Sequence, residues 1–321
     1  FQWISFLANP SYNTVDGNDV LLTVASDGAL AFNDYPGNMQ GEGFKYKDGP
    51  NLLFEGAFMY GADANHLMDA ARNSTSEKQE NDFNVLEPFV LNVPGETADY
   101  QGSATFNDAN ASSSLGITTK LRTYAYVEEP NHQYIILEYG LINNTDEAIN
   151  DLYSGLFFDW DIDSETYDSN KVEYNDEHNF GFAYNEGLVN VDTYVGAALI
   201  SSDNYGFYAI DNDGSNDSVS IYDGYTNSEK YDMISGGVGR KNAGPNDISF
   251  VVSGGPYSIP ANDYIGVAFA VAASNNFNEL TSTIEQSRTK YNEIVTDVPE
   301  KSNGLPVKFS LSQNYPNPFN P

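Results

Sequence analysis

Alternation of apolar and polar residues constrains this chain most strongly, because a period of two is typical of a β-strand with one buried face. Residues 117–127 show it most clearly: small or apolar side chains alternate with Lys120, Arg122 and other polar or tyrosine side chains. Similar short runs are separated by turn sequences such as Asp27-Gly28. About a dozen strands joined in this way predict an all-β fold, a large antiparallel β-sandwich.

Helical periodicity is prominent near the end of the sequence. Asn276 and Glu279 have the spacing of a capping box, and apolar residues from Phe277 to Ile294 follow at a period near 3.6. This pattern predicts one C-terminal helix over residues 277–294 that packs on a sheet. A short helical turn is also predicted over residues 66–71.

The composition along the chain divides it into four segments. Residues 1–25 are predicted as an N-terminal strand or extension, and residues 26–294 as the sandwich with its closing helix. Residues 295–308 are predicted to form a polar linker. Residues 309–321 contain three closely spaced prolines. This spacing excludes a helix or a central strand and predicts an extended segment.

The charge of the chain excludes several classes of partner. Fourteen basic residues against 46 acidic ones give a formal net charge of −32. This charge disfavours nucleic acid and anionic membranes as ligands. No apolar run approaches the ~20 residues that a membrane-spanning helix needs. The absence of cysteine excludes disulfides and thiol chemistry. We also expect no organic cofactor.

An acidic stretch raises the prospect of a metal site. Residues 146–177 contain eleven acidic residues and one lysine. On a strand, Asp159, Asp161 and Asp163 share one face, and Asp168 follows closely. Calcium takes 6–8 oxygen ligands with flexible geometry, so we predict that these four carboxylates bind calcium. The glycine and closing glutamate of an EF-hand loop are missing here, and a solvated strand end is the alternative.

Tyrosine is abundant, with 23 residues, and two tyrosines suggest a contact surface. Tyr124 and Tyr126 fall on the polar parity of their strand, so we predict that both are exposed as a glycan or protein contact. The alternative is cross-strand packing of the two rings on an outer sheet face.

The residues offer little support for catalysis. None of the three histidines lies beside a nucleophile elbow or a glycine-rich turn. Glu55, Glu87 and Glu138 lie in or next to apolar strands and could form the carboxylate pair of a glycoside hydrolase. With 46 acidic residues, a pair at a suitable separation arises easily by chance. We therefore expect that the chain is not an enzyme.

Two short motifs resemble elements of secreted proteins of Bacteroidota and their relatives. The segment F-S-L-S-Q-N-Y-P-N-P-F-N-P resembles the opening of the C-terminal sorting domain of type IX secretion cargo. Its core consists of Asn314, Tyr315, Pro316, Asn317, Pro318 and Phe319. Asp217-Ser218-Val219 resembles the acceptor sequence of bacterial O-glycosylation in the same phylum, which makes Ser218 a modification candidate. The resemblance implies recognition by the type IX machinery through the rest of the sorting domain and an extracellular or outer-surface location.

The body of the chain resembles the β-rich region between the catalytic and sorting domains of secreted subtilisin-like peptidases. The likeness is carried by residues 49–59, 62–73, 155–161 and 243–255. The peptidase's own Asp-Thr-Gly, His-Gly-Thr and Gly-Thr-Ser-Met-Ala motifs are absent. The resemblance therefore implies the non-catalytic part of such a protein.

Three functions remain open on the sequence alone. The favoured prediction is a non-catalytic structural or interaction module at the cell surface. It would self-associate or bind a surface partner through extended ends, residues 1–6 and 309–319. The alternative is a glycan-binding module of a secreted hydrolase or peptidase. The third hypothesis is a hydrolase with a carboxylate pair.

Overall fold

A computed structural model describes residues 11–163, 165–187 and 192–297 of the chain. Eighteen strands and two α-helices form within these residues. The strands are β1 (Tyr12–Val15), β2 (Val20–Ala25), β3 (Ala29–Leu30), β4 (Phe44–Tyr46), β5 (Leu53–Asp63), β6 (His66–Asp69), β7 (Asn84–Asn92), β8 (Tyr100–Asn107), β9 (Ile117–Ala125), β10 (Tyr134–Asn143), β11 (Ile149–Trp160), β12 (Asn170–Asn175), β13 (Phe180–Asn185), β14 (Tyr194–Leu199), β15 (Tyr205–Asp211), β16 (Asn242–Asn246), β17 (Ile248–Ile259) and β18 (Tyr264–Ser274). The helices are α1 (Asn227–Ser235) and α2 (Phe277–Asp297).

The strands form two antiparallel sheets of nine strands each, which confirms the predicted β-sandwich. Sheet one has the order β1-β2-β3-β5-β11-β17-β15, with β4 paired to β2 and β6 to β5. Sheet two has the order β16-β12-β13-β14-β18-β10-β9-β8-β7. In the part of the chain that the structure describes, no helix is long and apolar enough to cross a bilayer.

Aromatic side chains fill the space between the two sheets. Phe58 of β5 stacks face to face on Tyr139 of β10, with 3.8 Å between ring centroids. Phe158, Trp160 and Phe250 form a second group, with centroids 5.3–6.0 Å apart. All five are fully buried. Burial of one such side chain stabilises the fold by roughly 1.5–3 kcal/mol, so the high aromatic content serves the core first.

Helix α2 covers the other face of sheet two, as the apolar periodicity predicts. The side chain of Asn276 accepts a hydrogen bond from the Glu279 amide at 2.9 Å and caps the helix. Leu280, Ile284 and Tyr291 point from the helix into a second apolar cluster. The confirmed C-terminal helix thus adds a third layer, and the central strands of sheet two are buried on both faces.

This third layer corrects the prediction for Tyr124 and Tyr126. Their exposed fractions are 3% and 8%, and both lie in the cluster beneath α2. The Tyr124 hydroxyl donates to Glu138 Oε2 at 2.8 Å, and the Tyr126 ring faces Lys290 Nζ at 4.8 Å. The parity was assigned correctly, but the helix covers that face, so neither tyrosine forms an exposed contact.

The structure differs from the sequence prediction in four further respects. Residues 66–69 form strand β6 rather than a helical turn, with Asp69 opposite Met59 of β5. Helix α1, which packs on the outer face of sheet one, was not predicted. The boundary expected at residue 26 lies inside sheet one, because β1 and β2 are members of it. Helix α2 continues to Asp297, so the linker predicted from residue 295 begins later than expected, and its remaining residues lie outside the described ones. The expected segments at residues 1–6 and 309–321 also lie outside the described residues.

Candidate functional site

A cleft of about 450 Å³ opens on the outer face of sheet one. It combines aromatic rings, carboxyl groups and one guanidinium group. The residues that line it are Tyr35, Phe54, Arg72, Ser76, Asp159, Asp161, Tyr167, Tyr222 and Asp247. Strand alternation explains its place, since Phe158 and Trp160 face the core and Asp159 between them must face outward.

The strand register brings the acidic side chains of the cleft together. Asp159 of β11 lies opposite Glu55 of β5 on one side and Ser249 of β17 on the other. The last β11–β17 pair joins residues 160 and 248. Asp161 and Asp247 are the next residues beyond this pair, and both line the cleft together with Asp159. Every second residue along these strands faces outward, so the outer face carries two rows of polar groups. Glu55, Asp159 and Ser249 form the first row, and Asp161 and Asp247 form the second.

A β-bulge turns Phe54 toward this cleft. Glu55 pairs with Asp159 and Leu53 with Trp160, so Phe54 is an extra residue in β5. A bulge re-aims the side chain that it carries. Phe54 meets the ring of Tyr35 edge to face, with centroids 6.0 Å apart. Together the two rings form one aromatic wall.

Arg72 occupies the floor of the cleft as the centre of a buried ion network. Its Nε donates to Glu55 Oε2 at 2.6 Å, and its guanidinium also donates to Asp159 Oδ2. The Arg72 backbone amide donates to Glu55 Oε1 at 2.5 Å. All three side chains are at least 94% buried. Burial raises the pKa of Glu55, and Arg72 opposes that shift. One guanidinium therefore holds two carboxylates in place.

Asp247 is held at the rim by two donors. Asn212 Nδ2 donates to Asp247 Oδ1 and to Asp159 Oδ1, each at 2.8 Å. The Tyr222 hydroxyl donates to Asp247 Oδ2 at 2.5 Å. Charge-assisted bonds of this kind favour the ionised carboxylate. Asp247 is consequently a well-positioned anion.

Local backbone constraints fix the loop that carries Tyr222. Asp211 anchors the start of this loop, where its carboxylate accepts from the Gly244 amide at 2.7 Å and from Arg240 at 2.5 Å. Gly224 has φ +130°, and a Cβ there would lie 1.9 Å from the Ser74 carbonyl oxygen. Only glycine permits this approach, so the sequence determines where Tyr222 stands.

Asp161 has the opposite environment to Asp247. The described residues give its carboxyl group no hydrogen-bond partner. Burial, with repulsion from Asp159 and Asp247, raises the pKa of Asp161 to about 7, although Arg72 opposes the shift. Burial, followed by repulsion from Asp159, raises the pKa of Asp247 to about 6, and the Tyr222 hydrogen bond opposes it. Both carboxyl groups therefore keep a proton to a higher pH than an ordinary aspartate does.

This environment predicts that Asp161→Asn stabilises the protein at pH 8. The folded pKa of about 7 exceeds the ordinary value of 3.8. Folded chains therefore bind more protons than unfolded ones between these values, and stability falls as pH rises from about 4 to 7. The variant avoids that loss. We expect a gain on the order of 1–2 kcal/mol at pH 8, discounted for partial hydration, and almost none at pH 4.

Urea unfolding at both pH values measures this effect. Asp146→Asn is the matched control, because Asp146 is an exposed carboxyl at the other end of β11. If the stability of Asp161→Asn depends on pH in the same way as that of the wild type, the raised pKa of Asp161 is contradicted.

The four aspartates predicted to bind calcium separate into different environments. Asp159 is bound by Arg72, and Asp161 faces the cleft. Asp163 is buried and accepts from the Glu165 amide at 3.0 Å, whereas Asp168 is exposed. Among the described residues, no three or more His, Cys, Asp or Glu side chains are arranged to hold a metal ion. Calcium binding stays a prediction.

The remaining predicted sites are placed as follows. Ser218 is partly exposed, and its Oγ accepts from the Asp211 amide at 2.9 Å. Its modification stays a prediction. The sorting motif at residues 314–319 lies outside the described residues. Sequence reasoning missed Arg72, Tyr222 and Asp247. The alternation around Ser249 could have indicated that Asp247 shares its face.

Other concave regions are less suited to a ligand. One cleft of about 400 Å³ is lined by β12 and β16. Its cations are already paired: Lys171 lies 2.8 Å from Glu186, and Lys241 2.5 Å from Asp176. Tyr174 is the one aromatic side chain among its lining residues. The cleft at Asp161 and Asp247 is the stronger candidate.

Comparison with known proteins gives a likeness of fold. No family model and no curated protein matches this chain. A solved structure of a GalM/aldose epimerase homologue from C. elegans is 8% identical with a TM-score of 0.42, over 83% of this chain and 99% of that one. The Slr1438 protein from Synechocystis sp. PCC 6803 is 6% identical with a TM-score of 0.44, over 86% and 100%. A heparan sulfate lyase HepC mutant from Pedobacter heparinus is 10% identical with a TM-score of 0.41, over 86% and 37%.

These likenesses correct the prediction that the chain is not an enzyme. The structures with a similar fold include proteins named as an aldose epimerase homologue and as a heparan sulfate lyase. With identities of 6–10%, the likeness concerns the fold and transfers no reaction to this chain.

Proposed function

We propose that this chain binds a carbohydrate in the cleft at Asp161 and Asp247. The supporting observation is the lining itself, which combines four aromatic rings with carboxyl groups and a guanidinium group. Sugar rings place C–H faces on aromatic side chains, while their hydroxyls bond to charged acceptors and donors. Tyr167 and Tyr222 are 51% and 52% exposed, which leaves their rings accessible to such a ligand.

The charge of the site favours neutral or amino sugars. Glu55, Asp159, Asp161 and Asp247 stand against one guanidinium group, Arg72, in a chain with net charge −32. A uronate or sulfated glycan would be repelled both at long range and inside the cleft. Of the neutral and amino sugars, we propose an uncharged oligosaccharide as the ligand.

The proposed setting is extracellular or at the outer cell surface. It rests on the resemblance of residues 309–321 to the type IX sorting motif, and it agrees with a strongly acidic, cysteine-free chain. Self-association and a surface partner stay predictions in this setting.

Isothermal titration calorimetry with cellohexaose, mannohexaose and chitohexaose tests the proposal, with polygalacturonate as the polyanionic comparison. We expect one neutral oligosaccharide to bind. Tyr167→Ala and Tyr222→Ala should each weaken binding about tenfold or more, equivalent to ~1.4 kcal/mol. Tyr264→Ala is the control, because Tyr264 is 68% exposed but lies on β18 in sheet two. Failure of all three neutral saccharides to bind would refute the proposal, as would equal effects of the three variants.

A further inference from the structure

We propose that the cleft hydrolyses a glycosidic bond, with Asp161 as general acid and Asp247 as nucleophile. This inference rests on the proposed function, because the sugar must first bind between the aromatic side chains. It assigns a reaction to two carboxyl groups that sequence reasoning did not pair.

The strand register brings the two carboxyl groups into one cleft. Asp161 and Asp247 are the residues next to the last β11–β17 pair, 160–248, and both line the cleft. Repulsion from Asp247 also contributes to the raised pKa of Asp161. The proposal requires the separation of about 5–5.5 Å that retaining glycosidases keep between their two carboxyl groups, which leaves no room for a water molecule between acid and nucleophile.

The contacts of each carboxyl group assign its role. Asp247 receives hydrogen bonds from Tyr222 and Asn212, and both bonds stabilise its anion. Asp161 has no such donor among the described residues and lies near two other carboxylates. The two environments therefore favour a protonated Asp161 beside an ionised Asp247. Burial raises the pKa of both groups, to about 7 for Asp161 and about 6 for Asp247, and the Tyr222 hydrogen bond opposes the shift of Asp247 alone.

In the first step, Asp161 donates its proton to the glycosidic oxygen as the bond from C1 to that oxygen breaks. An Asp247 carboxylate oxygen forms a bond to C1, and the leaving sugar departs as an alcohol. In the second step, water attacks C1, its proton passes to the Asp161 carboxylate, and the bond from C1 to Asp247 breaks. One glycosidic bond and one water molecule become two hydroxyl groups, and both aspartates return to their starting states.

Arg72 is a positioning residue in this scheme. It bonds to Asp159, and Asn212 links Asp159 to Asp247. The network of Arg72, Asp159 and Asn212 therefore holds the nucleophile in position. Tyr222 has a double role, because its hydroxyl orients Asp247 while its ring is exposed to the ligand.

The experiment uses the oligosaccharide that binds in calorimetry, incubated with the full chain at equal concentration, and mass spectrometry of the products. We expect shorter saccharides to form, and ¹H NMR to show retention of the anomeric configuration. Asp161→Asn should bind the saccharide with nearly unchanged affinity but cleave it at least 10²-fold more slowly. It should also lose the basic limb of the pH–rate profile. Asp247→Asn should abolish turnover, and Asp146→Asn should match the wild type.

The outcomes separate the two proposals. Binding without cleavage of the bound saccharide would overturn the hydrolysis and leave carbohydrate binding intact. Cleavage that persists in Asp161→Asn, or that inverts the anomeric centre, would overturn the assigned roles. If none of the three neutral saccharides binds, the proposed function itself fails, and the hydrolysis fails with it.

Discussion

Replacing Arg72 with methionine is expected to destabilise the fold by about 3–5 kcal/mol, the usual result of removing one partner from a buried ion pair. Arg72, Glu55 and Asp159 each expose 6% or less of their side chain. Without the guanidinium, two neighbouring carboxyl groups stay buried with no cation between them. Both must then take up protons or open the sheet to water, and either response weakens the fold at neutral pH.

Urea unfolding at pH 7 measures this loss of stability, and the pH dependence of the loss identifies its cause. Glu55 already has a raised pKa because of burial, and loss of Arg72 raises it further. Stability of the variant should therefore recover as pH falls toward 5, where the carboxyl groups are protonated in the folded state. Lys45→Met breaks an exposed pair with Glu42 and should change stability by less than ~1 kcal/mol. A similarly small effect of Arg72→Met would show that the network is hydrated.

The strands were predictable because their pattern is local. Residues 117–125 alternate along β9, and the structure confirms a strand there. Helix α1 was hidden because Lys230 is among its buried residues, so its inner face is not continuously apolar. Strand β3 has only two residues, too few to show a period. The burial of Tyr124 could not be predicted from its own strand, because it depends on α2, a helix more than 150 residues later in the chain.

Only part of the candidate site could be predicted from the sequence. The shared face of Asp159 and Asp161 follows from strand parity and was recognised, although calcium was the interpretation. The cation that pairs with Asp159 was not recognised, because Arg72 lies 87 positions away from it in the sequence. Asp161 and Asp247 come into one cleft because they are the residues next to the last pair of β11 and β17. Strand pairing of this kind depends on the tertiary fold and cannot be predicted from a single sequence.

Replacing Lys230 with methionine should also cost about 3–5 kcal/mol, for a related reason. Lys230 Nζ lies 2.8 Å from Asp69 Oδ1, and both side chains are 0% exposed. The pair joins α1 to β6, and Asp69 Oδ2 has no hydrogen-bond partner among the described residues. Burial raises the pKa of Asp69, and Lys230 opposes that shift. Loss of the lysine therefore leaves an uncompensated buried carboxyl group.

A double-mutant cycle in urea at pH 7 separates the ion pair from simple packing. Asp69→Leu combined with Lys230→Met should restore much of the stability lost in either single variant, because no buried charge then remains. Lys241→Met is the control, since its pair with Asp176 is largely exposed. Additive losses in the double variant would indicate packing instead. The cycle also tests whether this buried pair supports the cleft, because Tyr222 lies five residues before α1 begins. Each single variant should weaken saccharide binding, and the double variant should restore binding together with stability.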